Sequence, residues 1–199
     1  MKKNTLTLAA VAVLAMTACI PSVNPFYTAD DVEFDPALVG EWTTTDSEDE
    51  PEQWKFERSE PVTDKNTYQL TITDKEGKQG RFRATLFRLK DHRFIDLIPV
   101  DCEYASDQAD LVAFSMFPGH LLIHVSAIEP ELEIAGCDFD WLEAHLESSP
   151  AVLPHYAEDD RILLTASTRQ LQRFVLKHVE GEELFSEHGR LTRNHATDE

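Results

Sequence analysis

The chain has 199 residues, of which 18 are Lys or Arg and 37 are Asp or Glu, giving a formal charge of −19. That surplus of negative charge repels phosphate backbones and anionic headgroups, so nucleic acid is excluded as a partner and adsorption to a membrane by charge alone is excluded with it. A hydrophobic fraction of 42% excludes wholesale disorder and leaves material for one compact domain.

Reading from the start, Lys2 and Lys3 precede an apolar run from Leu6 to Met16. At about eleven residues, the run is too short for a hydrocarbon core that needs roughly 20. The small residues Thr17 and Ala18 then stand directly before Cys19. This is the layout of a secretory signal peptide, and Met16-Thr17-Ala18-Cys19 resembles the lipobox of bacterial lipoproteins, with Met16 where Leu is usual. The resemblance implies cleavage after residue 18, a diacylglyceryl thioether on Cys19, and attachment to a membrane through that lipid. Two acyl chains make a stable anchor where one is marginal. Ile20, rather than Asp, follows the cysteine and implies the outer membrane where the source organism has one. Removing residues 1–18 takes away Lys2 and Lys3 only, leaving 16 basic against 37 acidic residues, a charge of −21. No later apolar run reaches 18 residues, so the lipid is the expected membrane contact.

Residues 19–36 carry Pro21, Pro25 and Pro36 with little periodicity and read as a tether, part of which Phe26, Tyr27 and Phe34 should pack down. From Leu38 the apolar period shifts toward two, the signature of half-buried strands. Trp54 and Phe56 alternate with polar neighbours. Tyr68, Leu70 and Ile72 alternate with Gln69, Thr71 and Thr73. Asp46–Glu52 reads as a solvated loop and Asp74–Gly80 as a hairpin turn. In the run from Arg81 to Lys90, the set Phe82, Ala84, Leu86 is followed by Phe87 and Leu89, which suggests a slipped phase and a bulge. The runs His92–Val100 and Leu111–Phe117 are dense enough for buried strands. His120–Ile128 alternates again, and Glu131–Gly136 extends the pattern. Gly40-Glu41-Trp42 resembles the G-x-W start of lipocalin-like barrels, which implies a Trp closing one barrel end and an interior that takes a small apolar ligand. On that resemblance Trp42, Tyr68, Leu70, Ile72 and Phe82 would line the pocket.

The last third changes character. Asp140 and Glu143 form a D-x-x-E cap before a helical face of Trp141, Leu142, His145 and Leu146, which Pro150 and Pro154 end. Arg161–Ser167 reads as a short strand. Ser167 and Gln170 form a second capping box ahead of Leu171, Phe174, Val175 and His178 at i, i+3, i+4, i+7, and Gly181 can end that helix. A final strand pair is expected to turn near Gly189, with residues 194–199 fraying. The expected architecture is α+β: an antiparallel sheet or small lipocalin-like barrel over 37–136, with a helix-containing segment over 137–193 packed on it as one domain.

Chemistry-bearing patterns are few. Cys102 and Cys137 can pair in an exported chain or remain two buried thiols. Paired, they would contribute about 3–4 kcal/mol. Their acidic neighbours Asp101, Glu103, Asp138 and Asp140 raise a thiol pKa, against a nucleophilic role. His120 and His124 stand four apart, but on a strand that is roughly 13 Å, too far to share an ion, so they are expected to face solvent. His145 and His178 sit at the edges of apolar helical stripes. Glu158, Asp159 and Asp160 near His155 read equally as a polar loop or as groups for general acid–base work. No nucleophile elbow, H-E-x-x-H, P-loop or dinucleotide fingerprint occurs. The expectation is a lipid-anchored, non-catalytic envelope protein without metal or cofactor that meets another envelope component. The alternatives are a lipocalin-like carrier of a small apolar ligand and a hydrolase of unrecognised type.

Overall fold

The computed structural model describes residues 20–45, 51–59, 66–101, 118–158, 161–181 and 183–194. In chain order these form β1 (Gly40–Thr44), β2 (Gln53–Arg58), β3 (Thr67–Thr73), β4 (Gln79–Leu89), β5 (His92–Asp101), β6 (Leu121–Ala127) and β7 (Glu131–Gly136). Helix α1 (Phe139–Ser148), β8 (His155–Glu158), β9 (Arg161–Leu164), helix α2 (Thr168–His178) and β10 (Glu187–Arg193) follow. Strands β1 to β7 run as an antiparallel meander, and β10 fits between β7 and β1 to close an eight-stranded barrel. The α+β architecture expected from the sequence is present. Closure leaves no unpaired strand edge, which is how a small antiparallel sheet satisfies its backbone. Among the described residues no helix is long and apolar enough to cross a membrane.

Two apolar cores share the barrel wall. The inner one is built by alternate residues of the strands, among them Trp54, Phe56, Leu70, Ala84, Leu86, Ile95, Ile123, Leu132 and Leu191. The outer one lies between one side of the barrel and the helical third, where Phe87, Phe94 and Leu122 meet Leu142, Leu146, Leu171, Phe174 and Phe185. This double burial corrects the expected phase slip after Leu86. Alternation along β4 is unbroken, with Phe82, Ala84 and Leu86 in the inner core and Phe87 and Leu89 in the outer one. The one register shift in the β4–β5 pair falls at Arg81/Phe82 instead. A run that is apolar on both faces mimics a slip only while the covering layer is unknown.

Local signals at the helices are carried by slightly different residues than expected. The N-cap of α1 is Asp138, whose Oδ1 accepts the Trp141 N–H at 2.8 Å, so Asp140 falls inside the first turn. The Ser167–Gln170 capping box of α2 is present, with the Ser167 N–H donating to Gln170 Oε1 at 3.1 Å. Around Gly189 there is one strand and no turn, because Gly189 pairs with Ile134 in the middle of the β10–β7 ladder. The segment around His155, read as a loop, is half of the β8–β9 hairpin. The run Leu111–Phe117 lies outside the described residues.

The segment read as a tether is packed from its first described residue. Ile20, Ser22 and Phe26 are buried. Ser22 exchanges both backbone hydrogen bonds with His120, while Leu164 donates to the Pro21 carbonyl and accepts from the Val23 N–H, each at 2.9 Å. Pro21–Val23 therefore forms an inner strand that joins the β8–β9 hairpin to the start of β6. Farther on, Val32 pairs with Phe87. Gly119 permits this seating, since a Cβ there would stand 2.5 Å from Pro21 Cβ.

One barrel end is sealed by Arg193. Its guanidinium lies 4.3 Å over the centre of the Trp42 ring and donates to the carbonyls of Val39, at 2.8 Å, and Ala37, capping the 3-10 turn Pro36–Leu38. Trp42 Nε1 donates to Leu38 O at 3.0 Å. Gly40 adopts φ +142°, and a Cβ on it would meet Arg193 Nη1 at 2.4 Å, so the glycine of the G-x-W string is required twice over. We expect Arg193→Ala to lower stability by about 2–4 kcal/mol in urea unfolding, through the lost cation–π contact and two orphaned carbonyls. Arg193→Lys should recover less than half, because an ammonium cannot stack on the ring while reaching both carbonyls.

Candidate functional site

The five side chains expected to line a pocket all lie in the inner core: Trp42, Tyr68, Leu70, Ile72 and Phe82. Cross-strand register explains their convergence. Trp42 pairs with Trp54 and Trp54 with Ile72, while Phe56 pairs with Leu70 and Leu70 with Phe82. Trp42, Tyr68 and Leu70 have no exposed surface, and Phe82 and Ile72 retain only 7% and 8%. Tyr68 belongs to the sealed end. Its hydroxyl accepts the Asp35 N–H at 2.7 Å and donates to the Asp35 carbonyl at 3.0 Å, its ring stacks on Phe34, and burial pushes its pKa up to about 12. The side chain is thus committed to the fold.

Trp54 is one of the interior residues that the pocket expectation omits. Its indole Nε1 is buried without a hydrogen bond of normal geometry. The half-buried Glu52 carboxyl stands near enough to be affected by it: burial pushes Glu52 up, and the Trp54 N–H works against that shift. Nothing in the strand pattern around Trp54 marks it out, since it alternates like any other core residue.

A second constellation lies beneath the N-terminal arm. Asp96, on the outer face of β5, is 2% exposed; its Oδ1 stands 2.7 Å from His120 Nδ1 and its Oδ2 accepts the Phe26 N–H at 3.2 Å. Burial raises the Asp96 pKa, and the hydrogen bonds from His120 and Phe26 oppose the rise. Ser22 is beside them through its backbone pairing with His120, but its hydroxyl donates to Leu164 O at 3.4 Å and accepts the Asn24 N–H at 3.3 Å. A carboxylate, an imidazole and a hydroxyl are thereby collected in one place with the serine wholly buried. The arrangement can fix the arm to the barrel. A substrate has no way to the hydroxyl. Sequence reading missed it because 24 residues separate Asp96 from His120 and 98 separate Ser22 from His120.

The histidines expected at the surface are drawn into the outer core, which is a correction. His120 faces Asp96, and His124 lies against Phe94 and Phe185 with ring centres 5.2 and 5.3 Å away. The strand assignment for β6 holds, but its outer face is covered by the segment that follows α2 instead of by water. His145 and His178 lie at the edges of their helical stripes as expected and meet each other there, with ring centres 5.0 Å apart beside Trp141 and Phe174. The Nε2 atoms of both are buried without hydrogen-bond partners. Cys137 Sγ stands 3.8 Å from the Leu122 carbonyl oxygen. Cys19 and Cys102 lie outside the described residues.

The chain matches no protein-family model, no curated protein and no solved structure.

Burial lowers the His124 pKa from 6.5 to about 4, with His92 and His188 adding repulsion. Burial also lowers that of His178. Between those values the unfolded chain holds a proton that the folded chain must release, so stability is full above pH 6.5 and falls as pH drops toward 4. Asp96, with a raised pKa, contributes with the opposite sign. The expected loss from His124 is about 1–2 kcal/mol between pH 6.5 and 4.5. His124→Phe should flatten the stability profile in that window, measured by urea unfolding at each pH. A slope unchanged from the parent protein would show that His124 titrates freely.

Proposed function

We propose that this chain is a lipid-anchored, non-catalytic envelope protein. In this reading a diacylglyceryl group on Cys19 holds an acidic barrel at a membrane surface, and the barrel serves as a binding or interaction module. The observation that carries the reading is the order of the first residues, Lys2-Lys3, the apolar run Leu6–Met16, then Thr17-Ala18-Cys19. Ile20, the residue after the lipobox cysteine, is buried in the outer core, so a lipid on Cys19 would be attached next to packed chain. A body of charge −21 has no electrostatic reason to rest on a bilayer, and acyl chains supply what charge does not. The burial of Ser22 in the arm and of Asp96 beneath it, with His120 bonded to Asp96, supports a structural use of these polar groups over a hydrolytic one. In an organism with two membranes, Ile20 after the cysteine favours the outer one.

Metabolic labelling with a fatty acid tests the anchor. The wild-type chain should take up label, and Cys19→Ala should take up none while retaining residues 1–18. Label on Cys19→Ala at the wild-type level would reject the assignment.

A second reading, a carrier of a small apolar ligand, is favoured by one observation, the buried Trp54 Nε1, which has the half-buried Glu52 carboxyl near it and makes no hydrogen bond of normal geometry. A ligand with an apolar tail and one acceptor atom fits that donor. On this reading, titration with fatty acids and alcohols of 8–18 carbons gives a saturable change in tryptophan emission, and Trp54→Phe weakens it about tenfold, one hydrogen bond's worth. No saturable change across the series would remove the carrier.

A further inference from the structure

We infer that the outward face of the β8–β9 hairpin, with the N-terminal arm beside it, is the surface that lies against the bilayer. The inference rests on the anchor reading and adds to it which side of the barrel the membrane touches.

The argument is one of register. Pro21–Val23 runs parallel to β9, with Ser22 opposite Leu164. Counting two residues back along both strands brings Ile20 to the level of Ile162, and both side chains belong to the outer core. The cysteine that would carry the lipid is bonded directly to Ile20, and the residue before Ile162 is Arg161, where the hairpin turns toward Glu158. A residue spans at most about 3.6 Å, so there is no slack between the acyl chains and this hairpin. The domain cannot swing on a linker.

The chemistry of the outward face agrees. Ile162 and Leu164 point into the core; the intervening Leu163 pairs with Tyr156, which is 57% exposed. Pro21 and Val23, flanking buried Ser22, share the outward parity and are only partly covered. Val152, 37% exposed, stands at the base of the hairpin. Exposed large apolar side chains among the described residues are three in all, and two of them are Tyr156 and Val152. Tyrosine, with an apolar ring and a polar tip, suits the headgroup level of a membrane. Tyr156 directs its hydroxyl to Glu158 Oε2 at 2.8 Å, so the polar tip is turned to the hairpin end. The occupant is a lipid bilayer because the anchor delivers it there. A protein partner has no comparable reason to be held within one residue of this face.

The test uses the full chain, processed in a host that acylates lipoproteins, and reconstituted into vesicles of phosphatidylcholine and phosphatidylethanolamine. Tyr156→Trp adds a reporter on the proposed face. Asp91→Trp adds one at the β4–β5 turn, six residues along β5 from Leu97, the partner of Leu121 at the start of β6, or about 20 Å. In vesicles whose phosphatidylcholine is brominated near the headgroup end of its chains, the emission added by Trp at 156 should fall by at least half relative to plain vesicles. The emission added at 91 should be unchanged. Equal emission from position 156 in the two vesicle types, or equal quenching at both positions, with the protein floating with the vesicles, would overturn the orientation and leave the anchor standing. A chain that is not acylated and does not float overturns the anchor itself, so the two failures are told apart by flotation. The quenching should survive 0.5 M salt, since charge has no part in the contact.

Discussion

Closure of the ring is the constraint from which the other features follow, and one cation completes it. A meander of seven strands would leave β1 and β7 as edges; the last strand of the chain returns to pair with both. Arg193, at the end of that strand, lies across Trp42 of the first and holds the carbonyls of the turn preceding it. Charge, aromatic face and backbone acceptors meet at a single guanidinium. It therefore adds a side-chain tie to the backbone ladder that already joins β10 to β1. The glycine at position 40 exists in the shadow of that side chain.

With the ring closed, the barrel has an inside and an outside, and this chain makes a core on each. The outer core needs a cover, which the helical third supplies over one side and the N-terminal arm over the rest. Some polar groups in that layer have a positional task. Asp96 is the clearest: a carboxylate driven toward its neutral form by burial is held by an imidazole and by the backbone of the arm it retains. Replacing such a pair with apolar residues often leaves stability unchanged or improves it, so its use here is better understood as fixing where the arm lies.

The sequence made the barrel readable through alternation. Tyr68, Leu70 and Ile72, or Trp54 and Phe56, declare a half-buried strand without any knowledge of their neighbours. The Gly40-Glu41-Trp42 string pointed to the sealed end, although the arginine that explains the glycine lies more than 150 residues away. What alternation could not convey was the second layer. His124 sits at an outward position of a strand, and outward ordinarily means water; only the placement of Phe185 turns it into core. The same ignorance made Leu86-Phe87 look like a slip. Pro21–Val23 was legible as irregular chain because a three-residue strand between two prolines has no period to detect. Its partners, His120 and Leu164, are known only once the fold is.

The arm's seat carries a consequence for assembly. Ser22 is bonded on one side to His120 and near the other to Leu164, 142 residues later. A chain synthesised from its amino end presents these residues early, yet their berth does not exist until the hairpin has been made and formed. A portion that is made early is thus among the last to settle. Meanwhile its apolar residues Ile20 and Phe26 stand open to whatever escort keeps a nascent polypeptide from clumping.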